Sequence, residues 1–197
     1  MLKKIIESLL AIVVVSVIVL ILMYSSFQKT ISSVNSEIGS PIDSFNNVKV
    51  YYNGLNYAES YGSHYHNDGY YYGKKWQCVE FVKRYYYDHF HHEMPNLYGH
   101  AKDFFDTTLV QGGINQERNL IQYWNGGNMR PKVNDLLVYN NGKYGHVAII
   151  AAVNEDEIEV IQQNILFKPR ETLPLTYSNG SYTIGEVHSP VGWLRKE

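Results

Sequence analysis

The hydrophobic period of the chain changes near its middle, and this change constrains the fold more than any other feature. From Cys78 to His89, apolar side chains recur every three or four residues, which predicts an amphipathic helix. Weaker patterns of the same kind predict short helices over 101–107 and 119–124. The stretch 51–73 mixes Tyr, Asn, Gly, Ser and His without a period and predicts loops and turns.

Beyond residue 130 the apolar segments have the length and pattern of strands. The run 146–153 is almost continuously apolar, as a strand buried on both faces would be. Asn154-Glu155-Asp156 predicts a turn, after which 157–163 returns as the next strand. Three more strands are predicted over 135–139, 181–187 and 191–194. Helices followed by an antiparallel sheet predict an α+β domain.

The N-terminal segment 1–27 predicts a membrane anchor. Lys3 and Lys4 precede a mostly apolar run from Ile5 to Met23, and at about 1.5 Å per residue this run matches the roughly 30 Å core of a bilayer. The residues after Met23 form a poor cleavage site, so an uncleaved single-pass anchor is favoured over a cleaved signal peptide. Because the basic residues precede the run, the positive-inside rule predicts that the rest of the chain is extracytoplasmic, either periplasmic or at the cell surface.

The remaining chain divides into a linker and one domain. Residues 28–47 are rich in Ser and Asn and predict a tether, whereas 48–197 has the length of a single domain. The formal net charge of −2 and the pI near 6.4 provide no basic field for nucleic acid, so no nucleic-acid partner is expected.

The chain contains one cysteine, Cys78, at the predicted start of the helix. Unpaired N–H groups and the positive end of the helix dipole favour thiolate over thiol there, and the same N–H groups could stabilise an oxyanion. Downstream, His146 follows Gly145, whose missing side chain leaves room for a substrate backbone. A nucleophile, a base and a polar orienting group are what a thiol hydrolase requires. The other interpretation is an inert buried thiol and an ordinary histidine.

Two amide side chains after the run 146–153 are candidates for the orienting group. Gln162 and Asn164 are two residues apart, so on a strand they share a face. A three-residue loop over 154–156 would place Asn164 opposite His146. A four-residue loop would place the two on opposite faces unless a bulge intervenes. The register of this hairpin therefore tests the triad.

Histidines elsewhere in the chain raise the question of a metal. His64 and His66, followed by Asp68, lack a well-placed third ligand, and so does the pair His91-His92. Surface or helix-end positions are the simpler interpretation, and no metal site is predicted.

Two further features lie close to the cysteine in the sequence. The tyrosine run that ends at Tyr72 either stacks on a substrate or packs its loop against the domain. Glu80 would point about 200° away from Cys78 on a helix, so it is expected to support the first helical turn rather than the reaction.

Four motifs in order resemble the CHAP amidohydrolases, a papain-like family. Tyr72–Arg84 is similar to the nucleophile segment of that family, and Gly145–Ile150 to its histidine strand. Gln163-Asn164 resembles its third motif and Gly192-Trp193 its closing strand. The similarity covers 51–194. Within the family, the chain most resembles amidase domains of the glutathionylspermidine synthetase/amidase type.

The resemblance implies a papain-like CHAP fold and a role for each matched residue. Cys78 would be the nucleophile, His146 the base and acid, and Asn164 the amide that orients the imidazole. No metal or organic cofactor is implied. The family usually carries Glu two residues before that Asn, where this chain has Gln162. Because an amide can orient a ring but supplies no charge, a weaker ion pair is expected.

Together these features predict a cysteine-dependent amide hydrolase that works through a thioester. Gln77, Tyr72 and Gly145 are predicted to lie beside the substrate. The predicted location favours a peptidoglycan peptide or muramoyl-alanine amide as substrate. The alternatives are a small peptide–polyamine amide of the glutathionylspermidine type, and a binding module with a weak or inactive site.

Overall fold

The computed structural model describes residues 12–25, 37–166, 168–187 and 189–197. The chain forms two compact units, Met1–Ser36 and Glu37–Glu197. In the first unit, residues 12–25 are helical. Among the described residues, no helix is both long and apolar enough to cross a membrane, so the predicted anchor is not supported. The rest of the predicted anchor lies outside the described residues.

The predicted tether, 28–47, is described only from Glu37 onward, and that part belongs to the second unit. Strand β1 (Pro41–Phe45) pairs antiparallel with β2 (Val48–Tyr51). Asn46 and Asn47 form the two-residue turn between them, with φ of 47° and 66°. Asn tolerates this left-handed conformation, so the asparagines mark a hairpin turn here rather than a flexible segment. The compact unit thus begins at Glu37, before the predicted residue 48.

The predicted amphipathic helix is confirmed. Helix α1 spans Cys78–Phe90, beginning at the predicted residue and ending one residue later. Its apolar side, including Phe81 and Tyr85, is fully buried. The helix ends where His91 takes a left-handed conformation with φ of 51°, and the His91 N–H donates to the Tyr87 carbonyl at 2.9 Å.

The two weaker helix predictions are wrong in different ways. Residues Ala101–Phe104 form only a 3-10 turn. The segment 119–124 is instead a strand, Leu120–Trp124, paired on both sides. Leu120, Gln122 and Tyr123 are all buried, so the strand shows no clean alternation, and a short apolar run of this kind cannot be distinguished from a helix by its period.

The region predicted as loops and turns, 51–73, contains most of a small antiparallel hairpin of two strands, Ser63–Tyr65 and Tyr71–Lys74. The five strands predicted downstream are all present, with ends that differ by up to three residues. The remaining strands are β3 (Ser63–Tyr65), β4 (Tyr71–Lys74), β5 (Gly113–Asn115), β6 (Leu120–Trp124), β7 (Leu136–Tyr139), β8 (His146–Val153), β9 (Glu157–Ile161), β10 (Arg170–Ser178), β11 (Ser181–Ile184) and β12 (Gly192–Arg195).

Eight of these strands form one antiparallel sheet in the order β11-β10-β9-β8-β7-β12-β6-β5. Helix α1 packs against one face, and the core there includes Phe81, Tyr85, Val147, Ile149 and Leu194. A second core on the other face includes Ala148, Ile150, Val160, Ile184 and Trp193. Strand β8 contributes alternate side chains to both cores, which explains its continuous apolar run. The fold is α+β, as predicted.

The hairpin between β8 and β9 settles the register question. Val153 pairs with Ile158, so the loop has four residues, 154–157, rather than three. A bulge between Ile150 and Ala152 then shifts the pairing so that Ile150 lies opposite Val160. The bulge adds one residue to β8, so the pairing beyond it is the one that a three-residue loop would give. His146 and Gln162 therefore lie on the same face of the sheet.

Candidate active site

Cys78 begins helix α1, with Gln77 as an extended N-cap residue at φ −78° and ψ 158°. The cysteine is buried, with 8% of its surface exposed. Burial raises the pKa of the Cys78 thiol to about 11, against the opposing effect of hydrogen bonds from the backbone N–H groups of Val147, Val79 and Cys78 itself. The helix start therefore stabilises the thiolate as predicted, but burial outweighs that stabilisation.

The same observation locates the thiol relative to the histidine strand. Val147, whose N–H contacts the thiol, directly follows His146 at the start of β8. Within the described residues no hydrogen bond joins the Cys78 sulfur to the His146 ring. The structure thus brings the nucleophile candidate to the residue next to the base candidate.

The His146 ring is oriented by Gln162. Nε2 of His146 lies 3.0 Å from Oε1 of Gln162. The Gln162 amide nitrogen donates to the Lys168 carbonyl at 3.1 Å, which requires Oε1 to face the ring. An oxygen acceptor there means that Nε2 carries the proton and Nδ1 carries the free lone pair. This tautomer leaves Nδ1 free to accept a proton.

The imidazole is neutral at ordinary pH. Burial lowers the pKa of His146 to about 4, although the Gln162 hydrogen bond and the negative charge of Glu171 act to raise it. Together with the raised pKa of the Cys78 thiol, this favours a neutral thiol and a neutral imidazole over a preformed ion pair.

Asn164 does not occupy the predicted orienting position. Its Oδ1 accepts from Asn53 Nδ2 at 2.8 Å, and its Nδ2 donates to the Tyr57 carbonyl at 2.8 Å and to Gln77 Oε1 at 2.7 Å. Strand β9 ends at Ile161, and Asn164 has a left-handed φ of 66°, so strand alternation no longer applies to it. Asn164 instead links the loop after β9 to the segment before the cysteine.

The three residues predicted to lie beside the substrate have other contacts. The Gln77 amide donates to the Glu59 carbonyl, next to the cysteine segment. Tyr72 is buried and donates to Asp88 Oδ1 at 2.5 Å, on a different face of α1 from Cys78. A Cβ on Gly145, which has φ of +71°, would lie 2.4 Å from the Tyr139 carbonyl. The room at Gly145 is therefore taken up by the protein's own backbone rather than left for a substrate.

A buried polar cluster behind Cys78 was missed by the sequence reasoning. Gln163 is 1% exposed, and its Nε2 donates to the Gln77 carbonyl at 3.0 Å and to Glu80 Oε2 at 2.6 Å. Its Oε1 accepts from the Tyr51 N–H at 2.8 Å. Gln163 thus joins the cysteine segment, helix α1 and β2. The sequence signals were its position between two other amide residues and its place in the Gln163-Asn164 motif, neither of which indicated this contact.

Glu80 is the charged centre of that cluster. It is fully buried and accepts from Arg84 Nε at 2.5 Å and from His64 Nδ1 at 2.8 Å. Burial acts to raise the pKa of Glu80, but the hydrogen bond from His64 and the charge of Arg84 outweigh it, and the pKa is lowered. Glu80 is therefore an ionised residue that binds His64, Arg84 and Gln163, which is more than the predicted support of the first turn.

The other histidines and tyrosines contact the protein itself. His66 Nδ1 lies 2.9 Å from Asp68 Oδ1, and His92 Nε2 lies 2.9 Å from the Arg118 carbonyl. In the described part of the chain, no group of three or more His, Cys, Asp or Glu residues is placed to hold a metal ion. Tyr70 stacks on Tyr87 with ring centroids 4.3 Å apart, so the tyrosine run packs its loop onto helix α1.

Comparison with known proteins agrees with this geometry. The family model described as the CHAP domain matches residues 66–164, about half of the chain. The bifunctional glutathionylspermidine synthetase/amidase of Escherichia coli is 27% identical over 142 residues, covering 64% of this chain and 23% of that protein. Trypanothione synthetase of Crithidia fasciculata is 26% identical over 142 residues, covering 65% of this chain and 22% of that protein. This chain thus spans less than a quarter of the length of these curated relatives. The predicted resemblance is confirmed.

Proposed function

The chain belongs to the CHAP domain family, and from this premise we propose that it hydrolyses an amide bond with Cys78 as nucleophile and His146 as base. The family match and the amidase relative support an amide-bond hydrolase of the CHAP type. The observation that carries the assignment is that the helix-start thiol contacts the N–H of Val147, the residue after a histidine whose tautomer leaves Nδ1 basic.

The proposed reaction begins from the neutral pair. As the Cys78 sulfur attacks the carbonyl carbon, His146 Nδ1 takes the thiol proton. The thiol is therefore deprotonated during the attack and not before it. Backbone N–H groups at the start of α1 stabilise the oxyanion of the tetrahedral intermediate. His146 then gives its proton to the leaving amine as the C–N bond breaks, which leaves a thioester on Cys78.

Hydrolysis of the thioester reverses these roles. His146 takes a proton from water, the hydroxide attacks the thioester carbonyl, and the carbon–sulfur bond breaks. The sulfur regains a proton from His146, and a carboxylic acid leaves. Gln162 accepts from Nε2–H throughout and prevents the ring from rotating.

We propose a peptidoglycan peptide or muramoyl-alanine amide as the substrate, and an extracytoplasmic location for the domain. The apolar run that includes the helix of residues 12–25, preceded by Lys3 and Lys4, supports this location. Amides of the cell wall are abundant at such a location, whereas cytosolic conjugates are absent from it.

A second candidate is a small peptide–polyamine amide. Its support is the similarity over 142 residues to a protein named as a glutathionylspermidine synthetase/amidase, together with the family match over 66–164, which includes Cys78 and His146.

One experiment separates the two substrates. The full chain is incubated with purified sacculi and with glutathionylspermidine, each beside a Cys78→Ala variant as the matched control. We expect new amino groups to be released from sacculi by the unmodified chain and not by the variant. Release from glutathionylspermidine alone would assign the second candidate, and release from neither would contradict the hydrolase assignment for these amides.

A further inference from the structure

The Gln162 side chain connects the His146 ring to a carboxylate. Its Oε1 faces the ring at 3.0 Å, and its Nε2 lies 3.4 Å from Oε2 of Glu171 on β10. Gln162 is 3% exposed, and its backbone N–H also donates to the Pro169 carbonyl at 2.9 Å. The amide is therefore held from both sides, in an orientation that directs its oxygen to the histidine and its nitrogen to the carboxylate.

The carboxylate lies close to Gln162 because of how β10 pairs with β9. Arg170 lies opposite Ile161, the last residue of β9, and Glu171 lies opposite Val160, two residues before Gln162. The titratable groups found near His146 or Glu171 in the described residues are Tyr139 from β7, whose ring centroid lies 6.0 Å from that of His146, Lys168 before β10, and Cys78 from α1, which contacts the neighbouring Val147 N–H. Lys168 forms an ion pair with Glu171 Oε1 at 3.3 Å but is itself 60% exposed, so solvent screens it.

We propose that Glu171 is a positioning residue for the hydrolase. Its carboxylate acts through the Gln162 amide to hold the His146 ring and to stabilise the positive charge that the ring acquires when it takes the thiol proton. This proposal rests on the proposed function, because it assigns a role in that same reaction.

The physical reason is the neutrality of residue 162. A Gln side chain can orient an imidazole but cannot compensate an imidazolium, and the transition state places a positive charge on a ring that burial has made hard to protonate. Glu171 supplies a negative charge one side chain further away. The 3.4 Å contact is long for a hydrogen bond, so the effect of Glu171 is mainly that of its charge.

The test compares Glu171→Gln with Glu159→Gln in the full chain. Glu159 is the matched control because it has similar exposure, 38% against 35%, lies on neighbouring β9 and forms an ion pair with Arg170. We expect Glu171→Gln to lower kcat roughly twofold to tenfold, the size expected for a partly exposed charge acting through another residue. The acid limb of the kcat/KM profile should also move to lower pH, because removing the negative charge makes His146 easier to deprotonate. Glu159→Gln should change neither quantity.

A double-mutant cycle tests the route through residue 162. In a Gln162→Glu background, residue 162 itself carries the charge, so adding Glu171→Gln should cost much less kcat than it costs in the unmodified chain. Equal losses in the two backgrounds would overturn the proposal, because they would show that Glu171 does not act through Gln162.

A measurement without turnover separates this proposal from the proposed function. The protonation of His146 is followed by NMR of the ring nitrogens, with a His146→Asn variant to assign the signals. Glu171→Gln should lower the His146 pKa and Gln162→Glu should raise it. An unchanged His146 pKa in Glu171→Gln overturns the role of Glu171, whether or not the chain hydrolyses any amide offered to it.

Discussion

At the scale of single residues, the site is determined by which groups are charged at rest. A thiol at a helix start would ordinarily be acidified, yet the pKa of Cys78 is raised to about 11 because burial outweighs three backbone N–H contacts. The N–H groups and the dipole follow from the position of Cys78 at a helix start, whereas its burial depends on the packing of distant segments. The expected ion pair between Cys78 and His146 is therefore replaced by a neutral thiol and a neutral imidazole.

Alkylation of Cys78 by iodoacetamide tests this state. We expect the rate to keep rising with pH beyond the value of about 8.5 at which an ordinary thiol is half ionised, because the folded environment disfavours thiolate. The same chain in denaturant is the control and should level off near that value. A rate that is already constant below pH 7 in the folded chain would instead show a preformed ion pair.

At the scale of elements, the loop between β9 and β10 carries the parts of the site that the sequence did not resolve. Its first three residues make different contacts. Gln162 orients His146, Gln163 donates to the Gln77 carbonyl, and Asn164 donates to the Gln77 side chain. Because the chain leaves the sheet after Ile161, these three amides point in different directions rather than alternating across a strand.

We predict that Gln163→Met lowers both stability and kcat. Methionine keeps the volume but removes the Gln163 hydrogen bonds to the Tyr51 N–H, to the Gln77 carbonyl and to Glu80, at a cost of about 2–4 kcal/mol in the free energy of unfolding. The helix start should then shift relative to β8, and kcat should fall about tenfold. Urea unfolding and turnover of the folded fraction measure the two effects.

The chain offers a matched control in Gln122→Met. Gln122 is also fully buried, on strand β6, which is remote from β8 in the sheet order. Its Oε1 accepts from the Asp106 N–H at 2.9 Å and from Asn115 Nδ2 at 3.0 Å, and its Nε2 donates to the Asp106 carbonyl at 2.7 Å. This variant should lose similar stability with little change in kcat. Equal kcat in the two variants would mean that Gln163 only supports the fold.

At the scale of the whole molecule, the unit Glu37–Glu197 buries His146 in neutral form, and its stability should depend on pH accordingly. The folded-state pKa of His146 is lowered to about 4, below the ordinary value of about 6.5 for an unfolded chain. Its contribution is therefore complete above about pH 6.5 and is lost as the pH falls toward 4, since only the unfolded chain binds the proton.

A comparison with His146→Asn isolates this contribution. The free energy of unfolding of the unmodified chain should fall more steeply between pH 6.5 and 4 than that of the variant, by the slope of one bound proton. Buried His92, whose pKa is also lowered by burial, is present in both chains and cancels in the difference. Parallel pH curves would contradict the buried neutral state of His146.

Much of the fold was predictable because its elements carry local signals. The period of α1, the apolar run of β8 and the turn residues after it each determine their own conformation. Segment 119–124 was misassigned because β6 is buried on both faces and lacks alternation. The hairpin of β1 and β2 was taken for a tether because its composition is polar, although its asparagines form the turn.

The sequence by itself determined the class of the fold, the helix that begins at Cys78, the strand that begins at His146 and the family of the chain. These follow from residue types at fixed spacings, which act over one or two turns of chain. Only the tertiary structure decided that a bulge near Ala151 corrects the register, that Gln162 rather than Asn164 contacts the ring, and that Glu171 lies behind it. The strand register, the burial of a side chain and its distance from a charged group depend on which strands become neighbours. A local sequence pattern does not contain that information.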